Sequence, residues 1–173
     1  MSLQLPEVLN HFNLYNESEK LIGLTGEVEL PELTMINDTL DGSGVLGEIE
    51  DPVTGQFESA QIKFTWSCLH KDYFKLVNTT KPCQLTLRAS LQCIDTGTGY
   101  TDYYPCKILV RGKAKTINLG SAEKGKKMEC KTEIEIMYIK VVLNNLTLLE
   151  LDKLNFVYII NGVDMLEKIR TQV

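Results

Sequence analysis

Residues 83–93 alternate apolar and polar side chains without a break: Cys83, Leu85, Leu87, Ala89, Leu91 and Cys93 fall on one phase, and Gln84, Thr86, Arg88, Ser90 and Gln92 on the other. Side chains leave a β-strand on opposite sides in turn, so this run buries one face only as an extended strand. Eleven residues is long against a usual strand of about five or six. The same period of two returns at Ala60, Ile62, Phe64 and Trp66, and again at Cys106, Ile108 and Val110, which are offset from Lys107 and Arg111. It returns once more at Met128, Cys130, Ile134, Ile136 and Tyr138, offset from Glu129, Lys131, Glu133 and Glu135. Turn residues at 95–99 and 118–125 join these runs as hairpins, and Asn144-Asn145 leads into a strand predicted over 147–160.

The rest of the chain fits around this frame. Val28 and Leu30 alternate with acids until Pro31 removes a ladder donor, which predicts an edge strand. Residues 37–55, with Gly42, Gly44, Gly47 and Asp51-Pro52, read as a loop, yet Val45, Leu46, Ile49 and Val53 are too apolar for one that meets only solvent. A short helix is predicted after an N-cap at Ser67, with Leu69, Tyr73, Leu76 and Val77 on one face, and it ends before Pro82. Asp164 with Glu167 three residues on starts a C-terminal helix that returns Leu166 and Ile169 to the core. The expected fold is mainly β, a β-sandwich or half-barrel with one short helix packed at its side and a short C-terminal helix, residues 1–173 forming a single domain.

Composition narrows the function classes. Of the 173 residues 43% are hydrophobic, but runs such as 156–160 fall far short of the roughly 18 apolar residues of a membrane span, so no stable membrane anchoring is expected. The N-terminus shows no signal peptide, which predicts folding in the cytoplasm of the producing cell. Cys68, Cys83, Cys93, Cys106 and Cys130 contain no C-x-x-C pair, and all but Cys68 fall on apolar phases, as core thiols do. Two histidines, His11 and His70, and the lack of any nucleophile elbow, zincin or phosphate-loop motif predict no catalytic residues and no cofactor. The acids Asp38, Asp41, Glu48, Glu50 and Asp51 lack the register of a calcium loop, so no metal is expected.

Charge is lopsided. Residues 1–60 hold twelve acids and one base, Lys20, whereas 61–173 hold seventeen bases and eleven acids. Lys107, Arg111, Lys113, Lys115, Lys124, Lys126, Lys127 and Lys131 form one basic stretch. Three readings are open: a solvated strand face and turn, phosphate contacts to nucleic acid, and charge-complementary self-association. The second lacks any aromatic for base stacking within the stretch. A head-to-tail contact of the third kind builds rings or filaments.

Two stretches resemble the major tail tube proteins of contractile-tailed bacteriophages and of the related phage-tail-like bacteriocins. The first is Leu149-Glu-Leu-Asp-Lys-Leu-Asn155, five residues ending in Ile160, then Asn161-Gly-Val-Asp164, carrying Glu150, Asp152, Asn155, Asn161, Gly162, Val163 and Asp164. The second is Asn10 to Tyr15 with Gly26-Glu-Val-Glu-Leu-Pro-Glu-Leu33 and the glycines of 42–47. The resemblance implies a structural subunit whose sheets join into an inner β-barrel in a hexameric ring, with rings stacking into a rigid tube inside a sheath. It implies partners in further copies of the chain, a tail sheath protein, a tape-measure protein, and baseplate and tail-terminator proteins, with DNA only in transient passage through the lumen of a phage. The setting would be a virion tail or bacteriocin particle, assembled in the host cytoplasm and released by lysis. On this reading Gly42, Gly44, Leu46, Gly47, Ile49 and Val53 form an inter-subunit loop, and Gln84, Thr86, Arg88, Lys107, Glu133 and Glu135 face the lumen. A type VI secretion-like tube protein is the nearest alternative. A monomeric ligand- or carbohydrate-binding β-sandwich, with Tyr100, Tyr103 and Tyr104 at one hairpin, is the alternative from another class.

Overall fold

The computed structural model describes residues 3–173. Its strands are β1 (Gln4–Asn16), β2 (Glu19–Lys20), β3 (Leu24–Glu29), β4 (Met35–Leu40), β5 (Ile49–Phe57), β6 (Gln61–Trp66), β7 (Cys83–Asp95), β8 (Thr101–Asn118), β9 (Cys130–Leu143), β10 (Leu146–Asp152), β11 (Val157–Ile160) and β12 (Val163–Asp164). Helix α1 covers Lys71–Leu76 and α2 covers Glu167–Arg170. The fold is mainly β. Ten strands make one antiparallel sheet in the order β12-β11-β10-β9-β8-β7-β1-β2, and β6, carrying β3, joins it at β9.

That sheet forks because β9 is long enough to serve two neighbours along one side. Residues 130–135 of β9 pair with β6, and residues 138–143 pair with β10. Both branches send their apolar phase to a common core. Trp66, Ile62 and Phe64 come from β6, Leu85 and Leu87 from β7, Val110 from β8, Ile134, Ile136 and Ile139 from β9, and Leu151 and Tyr158 from β10 and β11. One register row, Leu85, Val110, Ile139, Leu151 and Tyr158, crosses five strands. Fully burying a side chain of this size is worth about 1.5–3 kcal/mol.

Helix α1 closes one end of the core with Tyr73 and Leu76, both essentially buried. The Tyr73 hydroxyl donates to the Asn118 carbonyl (3.1 Å) and accepts from the Asn118 N–H (2.9 Å), tying the helix to the end of β8. Its N-cap is His70, whose ring accepts from the Asp72 N–H, rather than Ser67. Ser67 is taken by the sheet, its N–H bonding to Gly23 and its carbonyl accepting from Met128.

Three further expectations are corrected. Residues 37–55 are not a loop: β4 and β5 pair as a hairpin that forms a sheet of its own. The strand expected over 147–160 is two strands, because the Asp152 side chain accepts from the Leu154 and Asn155 N–H groups and turns the chain between β10 and β11. At the C-terminus Leu166 is buried as expected, but Ile169 stays more than a third exposed, since α2 is a single turn and presents only its start to the core.

The lone tryptophan reports on this core. Trp66 is fully buried and its Nε1–H donates to the Thr132 hydroxyl at 2.9 Å, Thr132 being equally buried. Thr132→Val keeps the volume but orphans that donor, and should lower stability of the chain by about 1–3 kcal/mol in urea unfolding followed by Trp66 fluorescence. An unchanged midpoint would mean that the hydrogen bond contributes nothing net.

Candidate assembly surfaces

Two surfaces stand apart from the core. The first is the opposite face of the long sheet. Strict alternation along β7 and β8 puts Gln84, Thr86, Arg88, Lys107, Leu109 and Arg111 on it, and the register extends the rows to Tyr138, Lys140, Glu150 and Asp152. Glu133 and Glu135 lie on the same side of β9, alongside β6. The six residues expected at the lumen therefore share one face. Thr86 lies in a row between Tyr15 and Leu109 and is only 5% exposed, so it belongs to the packing of that face rather than to its surface.

Most charges on this face are satisfied within the chain. Arg111 pairs with Asp152 (3.0 Å) and lies over the Tyr138 ring. The Tyr138 hydroxyl donates to Glu150 (2.9 Å), which also pairs with Lys140 (3.2 Å). Arg88 lies over the Tyr15 ring, Glu133 accepts from the Thr116 hydroxyl, and Glu135 accepts from Ser59. Burial pushes the Tyr138 phenol up to about 12, helped by the adjacent Glu150 carboxylate. For Asp152 burial acts to raise the pKa, but the Asn155 side chain, the Asn155 and Leu154 N–H groups and the Arg111 guanidinium outweigh it and hold the carboxyl below its ordinary value.

Sequence alternation missed part of this network for a definite reason. The run Ile134, Ile136, Tyr138 puts Tyr138 in the core. In the structure Gly112 lies opposite Ile136 and Arg111 opposite Tyr138, so Met137 is an unopposed bulge residue and the phase inverts. Ile139 then faces the core and Tyr138 faces out.

The second surface is the β4–β5 hairpin. Every residue of 36–54 is exposed, including Ile36, Leu40, Val45, Leu46, Ile49 and Val53, and Leu46 is fully so. Gly42, Gly44 and Gly47 shape its tip with positive φ and have open space around them. All six residues expected in an inter-subunit loop thus lie on this one hairpin. Only its root is held: Phe57 meets Tyr158 edge to face at 5.0 Å, and the Leu166 side chain lies over Gly55. An isolated two-stranded ribbon is marginal in water.

The C-terminal motif residues have local work. Asn161 and Gly162, both at positive φ, make the tight turn between β11 and β12, a conformation that suits Asn-Gly. Asp164 accepts from the Leu166 N–H and pairs with Arg170, while Val163 is exposed. Asp152 and Asn155 form the preceding turn, the Asn155 amide donating to Asp152 at 2.7 Å. The thiols offer little chemistry: Cys83, Cys93 and Cys130 are buried, Cys106 is half-buried and Cys68 is exposed, with burial pushing Cys83 up to about 11. Among the described residues no group of three His, Cys, Asp or Glu side chains is placed to hold a metal ion.

A lowered carboxyl pKa in the folded chain means that the unfolded chain binds the extra proton first. The stability due to Asp152 is therefore complete above the ordinary carboxylate range, about pH 4, and lost as pH falls through the lower folded value. Asp152→Asn should cost about 1–3 kcal/mol at pH 7 and flatten the acid limb of a thermal-unfolding series from pH 7 to 2.5. Curves that stay parallel at every pH would contradict this assignment.

The family model described as phage tail tube protein FII matches residues 6–173. The tail tube protein of Escherichia phage P2 is 25% identical over 176 residues, an alignment that spans 99% of each chain. Among solved structures, the chain is similar to one in the cryo-EM structure of an extracellular contractile injection system, the PVC sheath/tube terminator in the extended state. That match has 14% identity and a TM-score of 0.49, and covers 80% of this chain and 96% of the other. A second match lies in the PVC sheath-tube complex in the extended state, with 13% identity, a TM-score of 0.48, and coverage of 80% and 90%.

Proposed function

This chain belongs to the phage tail tube protein FII family and is a structural tail tube subunit, and on that premise we propose that its copies close into hexameric rings that stack into the inner tube of a contractile tail or phage-tail-like particle. Its work is mechanical: a stiff pipe inside a sheath, pushed through a target envelope when the sheath shortens. The observation that carries this reading is the β4–β5 hairpin, an exposed ribbon with six aliphatic side chains in water. Such a patch on a soluble subunit marks a surface that another protein covers.

The edges of the sheet support the same reading. β1 pairs with β7 on one side along its length, and on its other side the described residues bond to it only near its end, β2 at Tyr15 and Asn16 and the Leu21 N–H at the Leu14 carbonyl. The outer edge toward Gln4 offers backbone groups to a strand of a neighbouring copy, and joining sheets in this way into a closed barrel removes the edge altogether. Permanent contacts of this kind bury about 2,000–5,000 Å2.

We assign Gln84, Arg88, Lys107, Glu133 and Glu135 to the lumen wall. The internal pairing of Arg111 with Asp152 and of Lys140 with Glu150 suits a wall past which a polyanion slides, because a base already paired to an acid gains little by binding phosphate. A sheath protein, a tape-measure protein, and baseplate and terminator proteins are the proposed partners, and assembly is proposed to occur in the host cytoplasm, with release by lysis. DNA passes through only if the particle is a phage.

Negative-stain electron microscopy of the purified chain over a concentration series should show rings or hollow tubes. Leu46→Asp with Ile49→Asp should leave a folded monomer that forms none; normal tubes from that variant would reject the role of the hairpin. Monomers that persist even with tail-initiation proteins added would overturn the proposed ring-and-tube assembly.

A further inference from the structure

The hairpin is as distinctive in charge as in exposure. Between residues 35 and 57 lie Asp38, Asp41, Glu48, Glu50 and Asp51 and no base. None of these acids makes an ion pair among the described residues; Asp38 accepts only from the adjacent Thr39 N–H. What covers this ribbon must bring both apolar surface and positive charge.

One surface of the same chain has both. The β8–β9 segment, taken from the end of β8 through the connection to the start of β9, carries Lys113, Lys115, Lys124, Lys126, Lys127 and Lys131 against only Glu123 and Glu129. Lys126 pairs with Glu123, whereas Lys115, Lys124 and Lys127 are exposed and make no ion pair among the described residues. Ile117 and Leu119 lie between them in sequence, 60% and 48% exposed. The segment is also preshaped. Asn118 caps the Gly120 N–H, Ser121 bonds to Met128, and the Cys130 thiol donates to the Leu119 carbonyl. Gly120, at φ +71°, approaches so closely that a Cβ there would lie 1.9 Å from the Met128 carbonyl oxygen.

The two surfaces do not meet within one chain. Among the described residues no hairpin acid forms an ion pair with Lys115, Lys124 or Lys127, and residues 36–54 and those three lysines are all exposed. We propose that the β4–β5 hairpin of one copy docks on the β8–β9 segment of the next. Its acids then face Lys115, Lys124 and Lys127, and its aliphatic residues cover Ile117 and Leu119. Two different patches in contact make a heterologous interface, which propagates from copy to copy. This rests on the tube reading and specifies the contact that builds it.

Zero-length carbodiimide coupling of a mixture of unlabelled and isotope-labelled chains, under conditions where tubes form, should join hairpin acids of one copy to Lys115, Lys124 or Lys127 of another. Glu48→Lys, Glu50→Lys and Asp51→Lys together should cut sedimentable polymer at least about tenfold at low salt, as should Lys115→Glu, Lys124→Glu and Lys127→Glu together, with circular dichroism unchanged. Both sets in one chain restore complementarity and should restore assembly. Tubes whose hairpins couple elsewhere, or single-set variants that polymerise normally, would overturn this contact and leave the tube reading standing. Absence of self-assembly by the native chain under every condition, initiation proteins included, would overturn both.

Discussion

The register of β7, β8 and β9 governs everything else in this molecule. A one-residue slip of any of these strands would turn its side chains to the opposite faces, moving Leu85, Val110 or Ile139 toward water and, for β8, Arg111 toward the core. The register is held from both sides at once. On one face the apolar row locks it by burial. On the other, Arg111 reaches Asp152 across β9 in a geometry that a slipped ladder would break.

That double use of the sheet leaves the chain unfinished as an isolated body. The core uses one face, the charged network uses the other, and neither shelters the β4–β5 hairpin or the outer edge of β1. Antiparallel ribbons draw stability from neighbours, and here the neighbours within the chain reach only as far as Phe57 and Gly55. A tail tube subunit gains from such incompleteness, because the groups that the fold leaves unsatisfied are available for contacts between copies. In the proposed contact, acid on the hairpin and base on the β8–β9 segment would give the assembly a direction.

Much of the fold was legible from period alone. The long strands, the hairpins at 95–99 and 118–125, the edge strand before Pro31 and the core role of Trp66, Tyr73 and Leu166 all follow from local pattern. The misreadings share a cause, which is that each turned on a contact outside the local window. Ser67 has the chemistry of an N-cap, but its backbone was claimed by Gly23 and Met128. Residues 37–55 carry loop residues and still form strands, since turn chemistry at a hairpin tip does not reveal how far the pairing runs. Tyr138 was assigned to the wrong face because a bulge at Met137 leaves no mark in the sequence itself.

The sequence by itself determined that this chain would be an antiparallel β protein with one apolar and one polar sheet face, and that its N-terminal third would be acidic and its centre basic. Alternation and charge are properties of residue order, and no partner is needed to establish them. Tertiary structure alone decided which charges cancel within the chain and which remain open. Arg111 and Asp152 are 41 residues apart and become a pair only when β8, β9 and β10 align, whereas the hairpin acids and Lys115, Lys124 and Lys127 stay exposed and make no ion pair among the described residues. Whether two opposite charges meet depends on the path of the backbone between them, and that path is fixed only once the core has closed.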